Sequence, residues 1–413
     1  MQLQVFIATQ LYWLETKNIE SLNSAFGQAV RHAQALGLDT GAQGSDYLDT
    51  ELRRRIWWDL WVTDTFQSMC LDRTPLIHTP AERVPLPQNC NDIDVTQASV
   101  KPQPMEVPTD TSACICRAQA YRIFRKLYQD GGTRLSSYEY IRSIDREIQE
   151  LTAKFPWYFR IGSTEALQHL PSLDAVAWCH AMLHISICQQ RIRMNRPFLH
   201  ARVGESWSVC AIAAQEMLLP YRQMRESDVN RFRQSQKFAV QGYQAYTAAV
   251  TLAAFLLVER SFPGFSSESM RQDIEMVISD LELHDIGPMV SDGIKILRKM
   301  LDMFERRDAG DPQMRESLVQ EIASVFGGEQ PTRRYLRQCD IGYVLNNQTT
   351  HSHQLDGHII TVPGFSESLQ DPGTNSAYHQ TDSILDDFHL ALDMLEYDQW
   401  WDFLLPEGGF PPQ

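Results

Sequence analysis

The chain has 413 residues, 43% of them hydrophobic and 22% charged, and its 37 basic residues against 52 acidic ones give a formal net charge of −15. This composition excludes a mainly disordered chain and allows two or three domains with a sizeable core. The acidic balance argues against a basic nucleic-acid-binding face, because neutralising phosphates takes clustered lysine and arginine.

Helical periodicity dominates most of the chain. Apolar stripes predict an N-terminal helical hairpin that ends at Gly37, then a long helix over 49–71. Seven prolines between residues 75 and 108 predict an irregular connection. Further helices are predicted over 112–129, 135–153, 174–195, 206–227, 230–258, 267–283, 290–306 and 312–326. Since no segment alternates long enough to predict a strand, the predicted fold is all-α, an irregular multi-helix bundle.

The longest mainly apolar run, residues 245–258, is shorter than the roughly 20 residues of a membrane span. The N-terminus lacks the basic region of a secretory signal. The sequence therefore predicts a soluble intracellular protein with no membrane partner.

The C-terminal part of the chain differs from the rest in composition. From Gln338 to Gln413 there are twelve acidic residues and no lysine or arginine, so most of the net charge lies there. Residues 327–381 lack apolar periodicity and are predicted to be a disordered linker. In residues 382–413 acids are interleaved with bulky apolar side chains, which is typical of disordered activation segments that fold in a partner's groove. The predicted partner-binding residues are Phe388, Leu392, Leu395, Tyr397, Trp400, Trp401, Phe403 and Leu404.

The same acidic and aromatic pattern fits a C-terminal amphipathic helix that docks back on the bundle. The residues alone do not separate this interpretation from an activation segment, since both place aromatic side chains against a groove.

Three residues with zinc-binding side chains share one predicted helix face. His180, His184 and Cys188 stand at i, i+4 and i+8. The glutamate of a metalloprotease helix is absent between the histidines, and a core helix places its packing residues at the same spacing. Dinucleotide, phosphate-loop and hydrolase-elbow motifs are also absent. We therefore predict no catalytic residue, no bound cofactor and no metal in this chain.

Two basic clusters allow contact with nucleic acid or with an acidic partner. One is Arg53-Arg54-Arg55, and the other comprises Arg191, Arg193 and Arg196. Both are interleaved with apolar residues that are typical of a core, which favours pairing with acids of the same chain.

Several segments, in this order, resemble the regulatory domain (the middle homology region) of fungal binuclear zinc-cluster transcription factors. They are GQAVRHAQALGL (27–38), ELRRRIWWDLW (51–61), VPLP (84–87), MNRPFL (194–199), CAIAA (210–214), GIKILRKM (293–300) and the terminal WWDFLL (400–405). Two positions depart from the family pattern: Asn195 stands where the family has histidine, and Asp72-Arg73-Thr74-Pro75 replaces a Gly-Arg-Pro turn.

The resemblance implies a non-enzymatic regulator of transcription in the nucleus, commonly for a metabolic or secondary-metabolite gene set. It divides the chain into a helical regulatory domain (1–326), a linker (327–381) and an acidic activation-like tail (382–413). The implied partner of the tail is the transcription machinery, and the resemblance leaves open a small-molecule effector and a homodimer.

The DNA-reading module of that family holds two Zn²⁺ ions through six cysteines in Cys-x₂-Cys halves, and this sequence contains no Cys-x₂-Cys. Zinc and DNA contact are therefore expected only through a module that these residues lack. On this basis we expect the chain to be a fragment, a truncated gene model or a short paralogue.

The competing interpretation is a small-molecule-binding or catalytic all-α protein of a biosynthetic pathway. It requires a closed apolar cavity with convergent polar groups, for which Trp57, Trp61, His180 and His184 are the candidates.

Overall fold

A computed structural model gives the fold of the chain. It describes residues 3–7, 9, 19–71, 74–128, 137–162, 167, 174–199, 205–227, 232, 239–258, 266–283, 294–295, 297–298, 300–302 and 304–305. Its α-helices include α1 (Ile19–Ala35), α2 (Tyr47–Leu71), α3 (Ser112–Phe124), α4 (Tyr138–Ala153), α5 (Asp174–Asn195), α6 (Ser206–Ser227), α7 (Ala239–Val258) and α8 (Ser267–Glu282). Among the described residues there is no strand, only an isolated bridge between Val95 and Val100. The all-α prediction is confirmed.

Local sequence signals explain where several helices begin and end. Gly37, with φ of 71°, takes the left-handed conformation that follows α1, as the predicted stop requires. Ser137 and Ser266 cap α4 and α8, each accepting a hydrogen bond from the backbone N–H three residues on. Helix α5 ends at Asn195, just before the Arg196-Pro197 step that disfavours further helix.

The first four helices enclose an N-terminal core. Its largest fully buried side chains include Phe26, Trp57, Leu60, Tyr121, Phe124, Ile141, Phe155, Tyr158 and Phe159. Phe6 packs on Phe26 with ring centroids 6.0 Å apart, so the helical residues at the N-terminus lie on α1. This agrees with the predicted hairpin, whose turn at residues 17–18 is outside the described part.

The proline-rich connection between α2 and α3 is irregular, as predicted, and the Asn89 side chain organises it. Its amide nitrogen donates to the carbonyl oxygens of residues 103, 104 and 107, and its amide oxygen accepts from the hydroxyls of Thr109 and Ser112. One buried side chain thus gives partners to several backbone groups that no helix or sheet would satisfy. Asp64 on α2 does the same for the Leu76 and Ile77 N–H groups.

Helix α5 is the shared wall between two cores. Leu183 and Ile187 belong to the N-terminal core, whereas Ile185 and Ile192 belong to a second core. Helix α5 therefore buries apolar side chains on two sides, and its polar residues His180, His184 and Arg191 are buried as well.

The second core is formed by α5, α6, α7, α8 and the helical residues between 294 and 305. Helix α6 runs through the buried Pro220. Two ion pairs join α6 to α8, Arg222 with Asp273 and Arg225 with Asp280, the second at 2.8 Å. None of the helices within the described ranges is long and apolar enough to cross a membrane.

Candidate functional site

The predicted partner-binding residues of the tail, from Phe388 to Leu404, lie outside the described residues. So do the predicted linker, the helix over 312–326 and the domain boundary at residue 326. These assignments stay predictions.

The two histidines of the candidate metal face hold α5 against a short 3₁₀ turn, Trp157–Phe159. His180 donates from Nδ1 to the carbonyl oxygen of Tyr158 at 3.0 Å, and His184 donates from Nε2 to that of Phe159 at 2.8 Å. Both side chains are buried, and their ring centroids are 4.5 Å apart. The carbonyl oxygens can only accept, so each imidazole must carry a proton on the bonded nitrogen.

The third member of that face points elsewhere. Cys188 belongs to the second core and lies 4.0 Å from Glu216 Oε2, and burial raises the pKa of its thiol to about 12. Within the described part of the chain, no group of three or more His, Cys, Asp or Glu side chains is placed to hold a metal ion. The core interpretation of the two histidines agrees with their backbone contacts, while the predicted lack of a cofactor stays a prediction.

The burial of His184 has a consequence for stability at low pH. Burial, reinforced by the neighbouring His180, lowers the pKa of His184 from 6.5 to about 3 although the bond to Phe159 opposes this. Below pH 6.5 the unfolded chain therefore binds a proton that the folded chain does not, and stability falls as the pH decreases.

Replacing His184 by glutamine keeps a side-chain donor for the Phe159 carbonyl and removes the titration. Between pH 6.5 and pH 5 the wild type is expected to lose about 2 kcal/mol more stability than His184→Gln. Urea denaturation followed by circular dichroism at both pH values measures this difference. Parallel losses in the two proteins would contradict the structural assignment of His184.

A buried ionic cluster joins α4, α5 and α6. Arg191 on α5 donates from Nε to Asp145 Oδ1 at 2.8 Å and contacts Glu216 Oε2 through Nη1 at 2.5 Å. The Arg191 and Asp145 side chains are each only 5% exposed. Burial alone would lower the pKa of Arg191, but the two carboxylates outweigh it and raise the pKa above its ordinary value. The cluster therefore carries permanent charge between the two cores.

The other basic cluster also pairs within the chain. Arg53 contacts Asp49 at 3.0 Å, and Arg55 contacts Glu51 at 3.1 Å and Asp92 at 2.6 Å. The sequence-based preference for intramolecular pairing is confirmed for these arginines and for Arg191.

An open cleft of about 630 Å³ lies beside the C-terminal half of α2. Its lining residues come from α2, the connection after it, the end of α3 with the following turn, and α4. They are Trp61, Thr74, Pro75, His78, Thr79, Pro80, Ala81, Glu82, Gln119, Arg122, Ile123, Arg125, Lys126, Tyr128, Glu147 and Leu151.

The inner wall of the cleft is a tryptophan with an arginine over its ring. The guanidinium carbon of Arg125 lies 4.9 Å from the centroid of the Trp61 ring. Arg125 is fixed there by Asp64 Oδ2 at 2.9 Å and by Thr65 Oγ1 at 2.8 Å. Burial lowers the pKa of Arg125 although the Asp64 carboxylate opposes this.

The rim of the cleft carries two looser ion pairs. Arg122 contacts Glu82 at 2.8 Å, and Lys126 contacts Glu147 at 2.5 Å, with more than a third of each side chain exposed. Exposed pairs of this kind contribute little to stability and exchange partners readily.

The structure does not bring together the four residues of the competing interpretation. Trp61 lines the cleft, whereas Trp57 is buried in the N-terminal core and the two histidines contact the 157–159 turn. The cleft was missed from the sequence because its walls come from four separate segments. The only available signal was the Arg-rich end of the 112–129 helix, facing a Trp-rich helix.

Residues 2–152 match the family described as the fungal specific transcription factor domain. Three curated relatives are fungal. The chain is 32% identical over 165 residues to the Agnestins biosynthesis cluster transcription factor AgnL11 of Paecilomyces divaricatus, which is 37% of this chain and 23% of that protein. It is 26% identical over 246 residues to the transcription factor asqA of Emericella nidulans, covering 56% and 40% of the two chains.

The third relative is the transcriptional activator protein acu-15 of Neurospora crassa, 23% identical over 210 residues, with 49% and 22% of the two chains covered. The matched region thus spans between about a fifth and two fifths of each relative's length. No solved structure matches the chain.

Proposed function

We propose, from the match of residues 2–152 to the fungal specific transcription factor domain, that the chain regulates transcription in the nucleus without catalysing a reaction. The family match is the observation that carries the proposal. The names of the three relatives, all transcription factors or activators, support it. In this proposal the helical bundle of α1–α8 is the regulatory domain.

The proposed targets are the genes of a biosynthetic pathway. One relative is named as the factor of a biosynthesis cluster, and the resemblance of the sequence to zinc-cluster transcription factors commonly implies a metabolic or secondary-metabolite gene set. The proposed partner of the acidic tail, residues 382–413, is the transcription machinery. In this proposal a zinc-cluster module contacts DNA, and the present sequence does not supply it because it contains no Cys-x₂-Cys.

Transcript profiling of a fungal strain that lacks the gene tests the proposed function. We expect the transcripts of a set of biosynthetic genes to fall several-fold and to recover when the wild-type gene is returned, because the regulator is then restored. An empty vector is the control. Unchanged transcripts in the deletion strain, under conditions in which the wild-type gene is expressed, would contradict the proposal.

A further inference from the structure

The cleft beside α2 has the size of a small-molecule site. At about 630 Å³ it falls within the roughly 300–1,000 Å³ of pockets that hold drug-sized ligands. Its lining is more apolar than polar, and Trp61, Pro75, Pro80, Ile123 and Leu151 are among the residues that form it. Such a lining suits a ligand with an apolar body.

The charged groups of the cleft favour an anion. Arg122, Arg125 and Lys126 line it together with the carboxylates of Glu82 and Glu147. The exposed rim pairs leave Arg122 and Lys126 able to exchange their glutamates for an acidic group of a ligand. Arg125 is held in place by Asp64 and Thr65, so the inner cation is fixed before any ligand arrives.

We propose that this cleft binds a drug-sized organic anion with an apolar body, and that such a ligand is the small-molecule effector of the chain. The effector role rests on the proposed function, whereas the binding itself does not. Seated between α2, α3 and α4, the ligand would bridge three helices of the domain that carries the family match.

Fluorescence titration of the purified full chain with 8-anilinonaphthalene-1-sulfonate tests binding, since this probe joins a flat aromatic body to a sulfonate. Gln119→Trp fills the cleft from α3, and we expect it to weaken binding about tenfold or more. Gln272→Trp, an exposed glutamine of α8 outside the cleft, is the matched control and should bind as the wild type does. Equal affinity in all three proteins would overturn the proposal.

A second pair of measurements separates charge from shape and does not depend on tolerance of a new tryptophan. The double variant Arg122→Ala/Lys126→Ala is expected to bind the sulfonate probe about tenfold more weakly. A loss of that size corresponds to one charge-assisted hydrogen bond. It should bind the neutral N-phenyl-1-naphthylamine as the wild type does. An unchanged sulfonate affinity, or an equal loss for both probes, would overturn the anion assignment.

The two proposals can fail separately. If the chain alters transcripts in the fungus but its probe binding does not depend on the cleft, only the proposal of a ligand in the cleft is overturned. A chain that binds the probe in the cleft but leaves all transcripts unchanged overturns the regulatory function, and with it the effector role.

Discussion

Replacing Arg191 by leucine is expected to lower the free energy of unfolding by about 4 kcal/mol, because the change leaves buried carboxylates without their cation. Arg191 contacts Asp145 through Nε at 2.8 Å and Glu216 through Nη1 at 2.5 Å, and it joins helices from both cores. After the change, the Gln149 amide is the one side-chain donor left to Asp145 among the described residues. Urea denaturation followed by circular dichroism measures the loss.

Arg271 supplies the matched control for this prediction. It also contacts two carboxylates, Glu268 at 2.9 Å and Glu275 at 2.7 Å, but on the exposed face of α8. Arg271→Leu is expected to unfold at the wild-type urea concentration, since exposed pairs contribute little. The double variant Arg191→Leu/Asp145→Leu should recover about 2 kcal/mol, because it removes the uncompensated charge that is most deeply buried. Similar small losses in the free energy of unfolding for Arg191→Leu and Arg271→Leu would contradict the prediction that the buried Arg191 cluster stabilises the fold.

Replacing both Trp400 and Trp401 by alanine is expected to abolish activation of a reporter gene when the full chain is fused to a heterologous DNA-binding domain. In an acidic activation segment the acids keep the aromatic side chains in water until a partner's groove receives them. Large aromatic side chains carry most of the binding energy at such contacts. Reporter transcript is the measurement, and the thermal unfolding midpoint of the purified variant should equal that of the wild type.

The matched control is Phe365→Ala/Tyr378→Ala, which removes two aromatic residues from the predicted linker instead of the acidic tail. We expect this control to activate the reporter gene fully and the tryptophan variant not to activate it. If the tryptophan variant activates normally, the tail is not the activating segment. If the variant instead lowers the unfolding midpoint, the alternative of a tail docked on the bundle is favoured.

Helix boundaries were predictable where local signals are strong. The bounds of α5 and α6 match the predicted 174–195 and 206–227, because a proline step ends α5 and the apolar pattern of each helix is continuous. Beyond Phe124 the predicted helix changes to 3₁₀ geometry for residues 125–128. There Arg125 turns to Asp64, Thr65 and the Ile77 carbonyl, which are contacts that no local pattern encodes.

The roles of individual polar residues were less predictable, because they depend on partners distant in sequence. The spacing of His180 and His184 indicated a shared face, but only the fold shows that this face meets two backbone carbonyls at residues 158–159. Asn89 likewise has no sequence motif, although it organises the connection around it. The cleft at Trp61 depends on four segments, and the family resemblance does not indicate it.

We propose that this chain regulates transcription. The most direct measurement is reporter transcript with the full 413-residue chain fused to a heterologous DNA-binding domain, compared with that domain alone at equal protein level. We expect transcript well above that of the DNA-binding domain alone. Equal transcript from the two proteins would contradict it.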